Sequence, residues 1–375
     1  MKRLLLIGGG HAHIEVLREL AERPGAGVAV TLVTPSPRMV YTGMVPGVIA
    51  GHYTLPECTI DLAALAQRAN AELLLTSASL ASPDAKKVAC ADGNVLAYDV
   101  LSLDVGSHPA IGAVRGVEEH AIVLRPLERA IVAWNGLMAR AAAGRIKAIT
   151  VVGAGAAGIE LALAMRHRFD TALGDLQTPH VRLVSDAAGV GIAAGAARRL
   201  IARMRRGRVA SHVGLAVKEV GAGFVRLEGG LEFATDAVFW ATGAAAQPWI
   251  GESGLPTDKR GFLLTNTFMQ SLGHANVFGI GDCATIVGHE MPKAGVFAVR
   301  AAPTLAANLR AALAGGDLTP HVPKPRYLSL VSTGRKHAVG TWGPFAWQGR
   351  WAWRWKDSID RKFVERYRHA PKTGP

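Results

Sequence analysis

The chain has 375 residues, of which 49% are hydrophobic and 19% charged, a balance that excludes a disordered polymer and allows two or three packed domains. Its net charge of +13 favours phosphates, nucleic acid or anionic lipid headgroups without selecting among them, and an arginine-rich soluble surface explains it equally well. The three cysteines, Cys58, Cys90 and Cys283, form no C-x-x-C pair and no even disulfide framework, which indicates a reducing, cytoplasmic compartment.

The first predicted elements are a strand, a glycine-rich loop and a helix. An apolar strand at residues 3–7 precedes Gly8 and Gly10, residues 14–20 are apolar at helical spacing, and a second strand follows at 28–33. Such a loop exposes backbone amides at a helix N-terminus to a diphosphate, and glycine is needed because a Cβ would block the approach.

A second unit repeats this order around Gly153, Gly155 and Gly158. Its other predicted elements are a strand at 149–152, a helix at 159–165 and a strand at 181–184. The nearly uncharged run 148–165 has the length of a membrane span, but its glycines and Glu160 interrupt it, so we interpret it as strand, loop and helix. Two such loops predict two bound dinucleotides.

Two further segments are similar to each other. In residues 98–107 and 236–243 an aspartate precedes an apolar strand that ends in glycine, at Gly106 and Gly243. Another short strand, at 277–281, ends in Gly281-Asp282. The repetition predicts two domains built on similar plans.

These patterns together resemble, over essentially the whole chain, the pyridine nucleotide-disulfide oxidoreductase superfamily of FAD- and NAD(P)H-binding flavoproteins. Within it the chain resembles type II NADH dehydrogenases and sulfide:quinone oxidoreductases. It resembles more closely still, in residues 9–13, 41–52 and 350–357, the flavoprotein that is found fused ahead of selenide, water dikinase.

The resemblance implies an α/β fold with two Rossmann-like dinucleotide-binding domains and a small C-terminal α+β region. FAD would be the cofactor and NAD(P)H the co-substrate. The implied domains are an FAD-binding domain at 1–115 and 250–320, an NAD(P)H-binding domain at 116–249, and a C-terminal region at 321–375.

The resemblance also implies residues that hold FAD. Asp282 would bond the ribityl or pyrophosphate part, and the helix at 296–312 would point its positive end at the flavin pyrimidine ring. Lys293 would add to that field, or else be a solvated loop lysine. The implied FAD-binding residues are Gly8, Gly10, His11, His13, Thr34, Arg38, Gly106, Gly281, Asp282, Gly295 and Val296, and no metal site is predicted.

The first loop departs from the family pattern at two positions. His13 replaces the third glycine, so either the helix tilts outward, or the imidazole reaches toward the cofactor, or it packs in the interior. Thr34 stands where an acidic residue usually accepts hydrogen bonds from the adenosine ribose, and its hydroxyl can accept one without charge assistance.

The second loop has all three glycines and is the implied NAD(P)H site. Glu160 would lie near the nicotinamide and the flavin, or would only complement the helix dipole. We expect Glu160 and Lys293 to be catalytic. Ser185 followed by Asp186, at the end of the second strand of this unit, leaves the preference for NADH or NADPH undecided. The implied NAD(P)H-binding residues are Gly153, Gly155, Gly158, Ser185, Asp186, Thr242 and Gly243.

The positions of the cysteines argue against a dithiol mechanism. The resemblance implies that a disulfide reductase would need a redox pair of cysteines beside the flavin. A sulfide:quinone oxidoreductase would need two cysteines that bridge sulfur, one of them in the second dinucleotide domain, and this sequence has no cysteine between Cys90 and Cys283. We therefore expect electrons to pass directly from nicotinamide to flavin.

Apolar side chains, most of them aromatic, recur every fourth residue near the C-terminus and predict one helical stripe with basic neighbours such as Arg350 and Arg354. The stripe consists of Trp347, Trp351, Trp355, Ile359, Phe363 and Tyr367. Such a helix contacts a membrane surface, or packs against the flavin domain or a homodimer partner. Nucleic acid is the weaker third alternative, because no RNA-binding motif accompanies it.

The leading hypothesis is an FAD-dependent NAD(P)H oxidoreductase that passes electrons to an acceptor, a quinone by family likeness. The alternatives are a soluble oxidoreductase that acts on selenium or sulfur species, and a non-catalytic flavin-binding module. The expected location is the cytoplasm, either free or peripheral on the inner face of the membrane.

Overall fold

The computed structural model of the protein describes residues 1–112, 114–174, 178–187 and 193–368. The helices in these ranges are α1 His13–Glu22, α2 Val45–Ile49, α3 Leu62–Arg68, α4 Val117–His120, α5 Leu127–Ala142, α6 Ala156–Leu173, α7 Ala194–Arg206, α8 Pro248–Glu252, α9 Gly295–Ala314 and α10 Arg350–Arg368. The strands are β1 Lys2–Ile7, β2 Val28–Val33, β3 Arg38–Val40, β4 Thr59–Asp61, β5 Ala71–Leu74, β6 Ala78–Ser82, β7 Lys87–Cys90, β8 Val95–Ala97, β9 Val100–Leu103, β10 His108–Pro109, β11 Ala121–Val123, β12 Ala148–Val152, β13 His180–Ser185, β14 Val209–Val213, β15 Val217–Gly221, β16 Phe224–Leu227, β17 Glu232–Ala234, β18 Ala237–Trp240, β19 Ala244–Ala245, β20 Leu263–Thr265, β21 Val277–Gly279, β22 Ala284–Ile286, β23 Leu328–Thr333, β24 Arg335–Trp342 and β25 Phe345–Gly349.

The first sheet is parallel and has the strand order β21-β9-β1-β2-β5. Helices α1, α3 and α9 cover it, and Leu4, Leu6, Leu17 and Leu305 belong to the core between sheet and helices. β1 is apolar on both faces because both are buried, as parallel strands in such sheets are.

The second sheet repeats the plan with the order β11-β18-β12-β13-β14, again all parallel. In each sheet the strand that precedes a glycine loop lies beside the strand that follows an aspartate. Asp99 accepts a hydrogen bond from the Arg3 amide at 2.7 Å, and Asp236 accepts one from the Lys147 amide at 2.6 Å. The predicted α/β fold with two similar nucleotide-binding units is thus confirmed.

The run 148–165 forms β12, a loop and the first part of α6, as predicted. Among the described residues no helix has the length and apolarity needed to cross a bilayer.

The C-terminal part contains the antiparallel sheet β23-β24-β25 and the helix α10. The prediction that Trp347 lies on this helix is wrong, because Trp347 belongs to β25. Its ring still stacks on Trp351 at 6.3 Å and on Trp355 at 6.2 Å. A four-residue aromatic spacing does not reveal where a strand turns into a helix.

The inner face of α10 is tied to the first unit by polar contacts. Tyr367 donates a hydrogen bond to Glu15 at 2.8 Å, and Asp357 accepts one from Tyr53 at 2.6 Å. The sheet β23-β24 meanwhile packs against α6 of the second unit. The C-terminal part therefore joins both nucleotide-binding units.

Candidate active site

The first glycine loop wraps closely around the end of β9. Gly8 has φ +95°, and a Cβ there would lie 2.4 Å from the Asp104 carbonyl oxygen. A Cβ on Gly10 would lie 2.4 Å from Cγ of the Asp104 carboxyl group. The Asp104 carboxyl accepts hydrogen bonds from the amides of Ala12 at 2.7 Å and His13 at 3.0 Å. Glycine is thus required here by the neighbouring strand as well as by a ligand.

His13 is packed in the interior, which is one of the three alternatives left by the sequence. Its Nδ1 lies 2.6 Å from the Gly8 carbonyl and its Nε2 lies 2.8 Å from Oγ of Ser102. Because a carbonyl only accepts, Nδ1 carries the proton and Nε2 accepts from the Ser102 hydroxyl. Burial lowers the pKa of His13 to about 4, so the ring is neutral. Both ring nitrogens therefore have partners within the protein.

Several implied FAD-binding residues converge around the loop. A Cβ on Gly295, at the start of α9, would lie 3.3 Å from the His11 ring. Asp282 pairs with Arg125 at 3.2 Å, and Arg125 also donates to the Ser107 carbonyl at 2.8 Å, next to Gly106. Gly281 completes the group, and Val296 follows Gly295 on α9.

Three other implied residues lie at the margin of this group. Oγ1 of Thr34 is buried beside Gly9 and donates to the Ser36 carbonyl at 3.3 Å, whereas Arg38 is exposed. Lys293 is not a solvated loop lysine: its ammonium donates to the Ala284 carbonyl at 2.6 Å and lies over the Phe262 ring at 4.0 Å.

The residues around this loop are compatible with the diphosphate of FAD. In the part of the chain that the structure describes, no residue accepts a hydrogen bond from the amides of Gly10 and His11. Two donors at the start of α1 are therefore left for an anionic ligand, beside the two that Asp104 takes.

The second loop has a more open geometry. A Cβ on Gly158 would lie 1.9 Å from the Gly153 carbonyl oxygen, so Gly158 permits close packing of helix on strand. A Cβ on Gly155 would meet no atom within 4 Å. Since Gly155 directly precedes α6 and faces open space, it leaves room for a phosphate at the helix N-terminus.

The remaining implied NAD(P)H residues lie at the ends of β13 and β18. The Ser185 hydroxyl lies 3.4 Å from the Asp186 carboxylate, which is exposed. Thr242 donates to the Ala110 carbonyl at 2.6 Å, and the Gly243 carbonyl accepts from the Ala110 amide at 2.8 Å. Residues 188–192, which follow β13, lie outside the described part of the chain.

Between the two loops lies a buried charge cluster of Tyr41, Glu160, Lys356 and Asp360. Lys356 bonds Asp360 at 2.5 Å, and the Tyr41 hydroxyl donates to Asp360 at 3.3 Å. Burial raises the pKa of Glu160, although the positive charge of Lys356 acts in the opposite direction. The Glu160 carboxylate also accepts a hydrogen bond from the Ser332 amide at 2.6 Å. Glu160 therefore does more than complement its own helix.

An aromatic group lies beside this cluster. The Tyr41 ring stacks on Phe363 at 4.4 Å, and its edge faces His11 at 5.7 Å. His11 comes from the first glycine loop, whereas Glu160 follows the second. The site thus brings residues of both units and of α10 together. Sequence reasoning missed Asp104, Arg125, Lys356 and Asp360 as site residues, because each also has a partner that is far away along the chain.

The three cysteines are separate and buried in the structure. Cys283 donates to the Ile280 carbonyl at 3.0 Å, and burial raises the pKa of its thiol to about 12. Burial likewise raises the pKa of Cys58 to about 12.

Comparison with known proteins is consistent with this arrangement. Residues 2–306 match the pyridine nucleotide-disulphide oxidoreductase family. The chain belongs to this family. Membership confirms the prediction of an oxidoreductase with FAD as cofactor and NAD(P)H as co-substrate. Its likeness to the flavoprotein fused to selenide, water dikinase stays a prediction.

Curated relatives include a NADH dehydrogenase-like protein of Mycobacterium tuberculosis. It is 27% identical over 294 residues, which are 76% of this chain and 73% of the relative. A protein of Dictyostelium discoideum named a probable NADH dehydrogenase is 26% identical over 64% of this chain, and the match spans only 58% of that protein.

Two solved structures share the fold over nearly the whole chain. Sulfide:quinone oxidoreductase of Aquifex aeolicus has a TM-score of 0.80 and 18% identity, covering 99% of this chain and 93% of its own. NDH2 of Plasmodium falciparum in complex with NADH has a TM-score of 0.83 and 13% identity, covering 98% of this chain and 97% of its own.

Proposed function

We propose that this family member takes hydride from NAD(P)H and passes the electrons to a small-molecule acceptor, a quinone in the first instance. The observation that carries the proposal is the meeting of His11, Glu160 and α10 residues at Tyr41, between the two glycine loops. When bound, FAD supplies the hydride-accepting ring. The proposed domains are those implied by the resemblance: 1–115 with 250–320 for FAD, and 116–249 for NAD(P)H.

The chain's own residues would mainly bind and orient. Gly10 and His11 would hold the diphosphate of FAD, and the positive end of α9 at Gly295 would stabilise negative charge on the reduced ring. Lys293 would add to that field from its position beside Asp282. Glu160, held by the Ser332 amide, is in reach of both units and is the proposed catalytic carboxyl.

The route would need no redox-active disulfide. All three cysteines are buried, and those with a thiol pKa raised to about 12 are poor nucleophiles at neutral pH. Electrons would therefore pass from nicotinamide through FAD to the acceptor without a protein thiol.

A quinone is proposed as the acceptor because the similar proteins include a sulfide:quinone oxidoreductase and NADH dehydrogenase-like proteins. The alternative acceptor, a selenium or sulfur species, rests on the segments 9–13, 41–52 and 350–357, which resemble the flavoprotein fused to selenide, water dikinase. The middle segment contacts both others: the ring of Tyr41 lies 5.7 Å from that of His11, and the ring of His52 lies 5.6 Å from that of Trp353. NAD(P)H oxidation with a water-soluble quinone, polysulfide or selenite separates them. Turnover with quinone alone is expected, turnover with polysulfide or selenite alone supports the alternative, and turnover with none contradicts both.

Peripheral membrane contact, at the cytoplasmic face, is proposed for the exposed side of α10. The rings of Trp351 and Trp355 are 54% and 42% exposed, whereas Tyr367 further along α10 is buried. Arg350 and Arg354 of the same helix are exposed as well. Exposed tryptophans next to arginines are typical of an interfacial surface.

Replacing both exposed tryptophans, Trp351→Ser with Trp355→Ser, is expected to weaken binding to anionic liposomes by roughly tenfold or more, because their burial at the interface is lost. Co-sedimentation of the full chain measures this. The matched control is Val132→Ser with Leu272→Ser, two exposed apolar residues elsewhere, which should bind as the unaltered chain does. Equal pelleting of both pairs would contradict membrane contact through α10.

A further inference from the structure

Asp104 is a buried acid that the proposed reaction does not use. One of its oxygens, Oδ2, accepts from the amides of both Ala12 and His13 at the start of α1. The other oxygen, Oδ1, faces Gly281, where an added Cβ would lie 3.0 Å away. The side chain is buried, and the absence of a Cβ on Gly10 makes room for it. The carboxyl thus occupies half of a helix N-terminus that binds anions.

The diphosphate of FAD would share this N-terminus. The amides left for it are those of Gly10 and His11, and consecutive residues along the chain are only about 4 Å apart. Two anions at that separation in a buried site repel strongly. A protonated carboxyl would instead offer a hydrogen bond from Oδ1, while Oδ2 kept both amides.

We propose that Asp104 controls how tightly the chain holds FAD, because the first loop binds the diphosphate well only when Asp104 carries a proton. This inference rests on the FAD site of the proposed function. Binding then takes up one proton from solvent onto Oδ1, which donates it as a hydrogen bond to a phosphate oxygen. No covalent bond other than this O–H is made or broken.

The surroundings of Asp104 allow it to titrate near neutral pH. Burial raises the pKa of Asp104 to about 6, although the His13 amide and the charge on His11 oppose the shift. Above that pH the carboxylate is mostly ionised in the free protein, so affinity for FAD should fall as the pH rises. The facing groups are His11 and His13 on the loop, and Cys283 and the Asp282–Arg125 pair opposite.

Two neighbours of Asp104 do not titrate between about pH 6.5 and 8.5. Burial lowers the pKa of His13 to about 4 and raises that of Cys283 to about 12, so the imidazole and the thiol each keep one charge state in that range. Burial also lowers the pKa of His11. A pH dependence of FAD affinity that is lost in Asp104→Asn is therefore assigned to Asp104.

The test measures the dissociation constant of FAD by dilution of the holoprotein, followed through flavin fluorescence. We expect it to rise by up to about tenfold per pH unit between about pH 6.5 and 8.5. Asp104→Asn should remove that dependence and bind FAD roughly tenfold or more tightly at about pH 8. The matched control is Asp236→Asn. The Asp236 carboxylate also accepts two backbone amides, those of Lys147 and Ala148, but at the start of β12 and away from the glycine loops. This variant should keep the pH dependence of FAD binding seen in the unaltered chain.

An unchanged pH profile in Asp104→Asn, or weaker binding at about pH 8, would overturn the inference. A second measurement needs no variant: FAD binding by the unaltered chain in weakly buffered solution should take up close to one proton per flavin at about pH 7.5, and no uptake would overturn it. Failure of both proteins to bind FAD at any pH would instead overturn the FAD site itself.

Discussion

Replacing Gly155 with valine is expected to weaken NAD(P)H binding by roughly 100-fold or more while FAD stays bound. Gly155 has φ −69° and ψ 176°, which any residue adopts, and a Cβ there meets no atom. The added side chain would therefore fill the space in which the diphosphate approaches α6, without disturbing the fold. The loss is measured by titrating the nucleotide into the FAD-containing protein and following the flavin absorbance. The free energy of unfolding, measured by thermal denaturation, should change by no more than about 1 kcal/mol.

Two other glycines make the interpretation specific. Gly136→Val adds a side chain to an exposed position of α5 where a Cβ also meets nothing, and it should bind NAD(P)H normally. Gly158→Ala places its Cβ 1.9 Å from the Gly153 carbonyl oxygen and should destabilise the fold as well. Normal nucleotide binding by Gly155→Val would show that the second loop is not the NAD(P)H site.

Replacing Lys356 with methionine is expected to lower the free energy of unfolding by about 3–5 kcal/mol, the usual cost of leaving one partner of a buried ion pair alone. Lys356 bonds both Asp360 and the Gly43 carbonyl, at 2.5 and 2.6 Å, and it opposes the buried charge of Glu160. The midpoint of urea unfolding measures the loss.

An exposed ion pair on the same helix provides the control. Arg361 bonds Asp357 at 3.0 Å, but its side chain is 47% exposed, so Arg361→Met should cost about 1 kcal/mol or less. Adding Asp360→Asn to Lys356→Met should recover part of the loss, because it removes a buried carboxylate that has lost its countercharge and keeps only the Tyr41 hydroxyl. Equal losses from Lys356→Met and Arg361→Met would contradict the buried charge cluster as a stabilising element.

The parts predicted well from the sequence are local ones. The strand Val28–Val33 and both glycine loops depend on neighbouring residues, and the periodic pattern of a short segment is enough to identify them. The helix α9 begins at Gly295, one residue before the predicted start at Val296. Its start could be predicted closely because Pro292 and Gly295 mark the end of the preceding loop in the sequence.

The parts that could not be predicted depend on distant partners. Asp104 contacts an amide 92 residues earlier, and Asp360 contacts Tyr41 across 319 residues. Neither aspartate stands in a local pattern that differs from an ordinary turn or a solvated helix face. Trp347 was assigned to the wrong element because a four-residue spacing fits one face of a helix and gives no sign of the strand β25.

The central claim is that hydride passes from NAD(P)H on the second unit to FAD on the first without a thiol. Anaerobic titration of the purified, FAD-containing chain with NADH and then with NADPH tests it most directly. The account predicts that at least one nucleotide bleaches the flavin absorption in proportion to the amount added, also after the thiols have been alkylated. A flavin that keeps its oxidised spectrum with both nucleotides would contradict it.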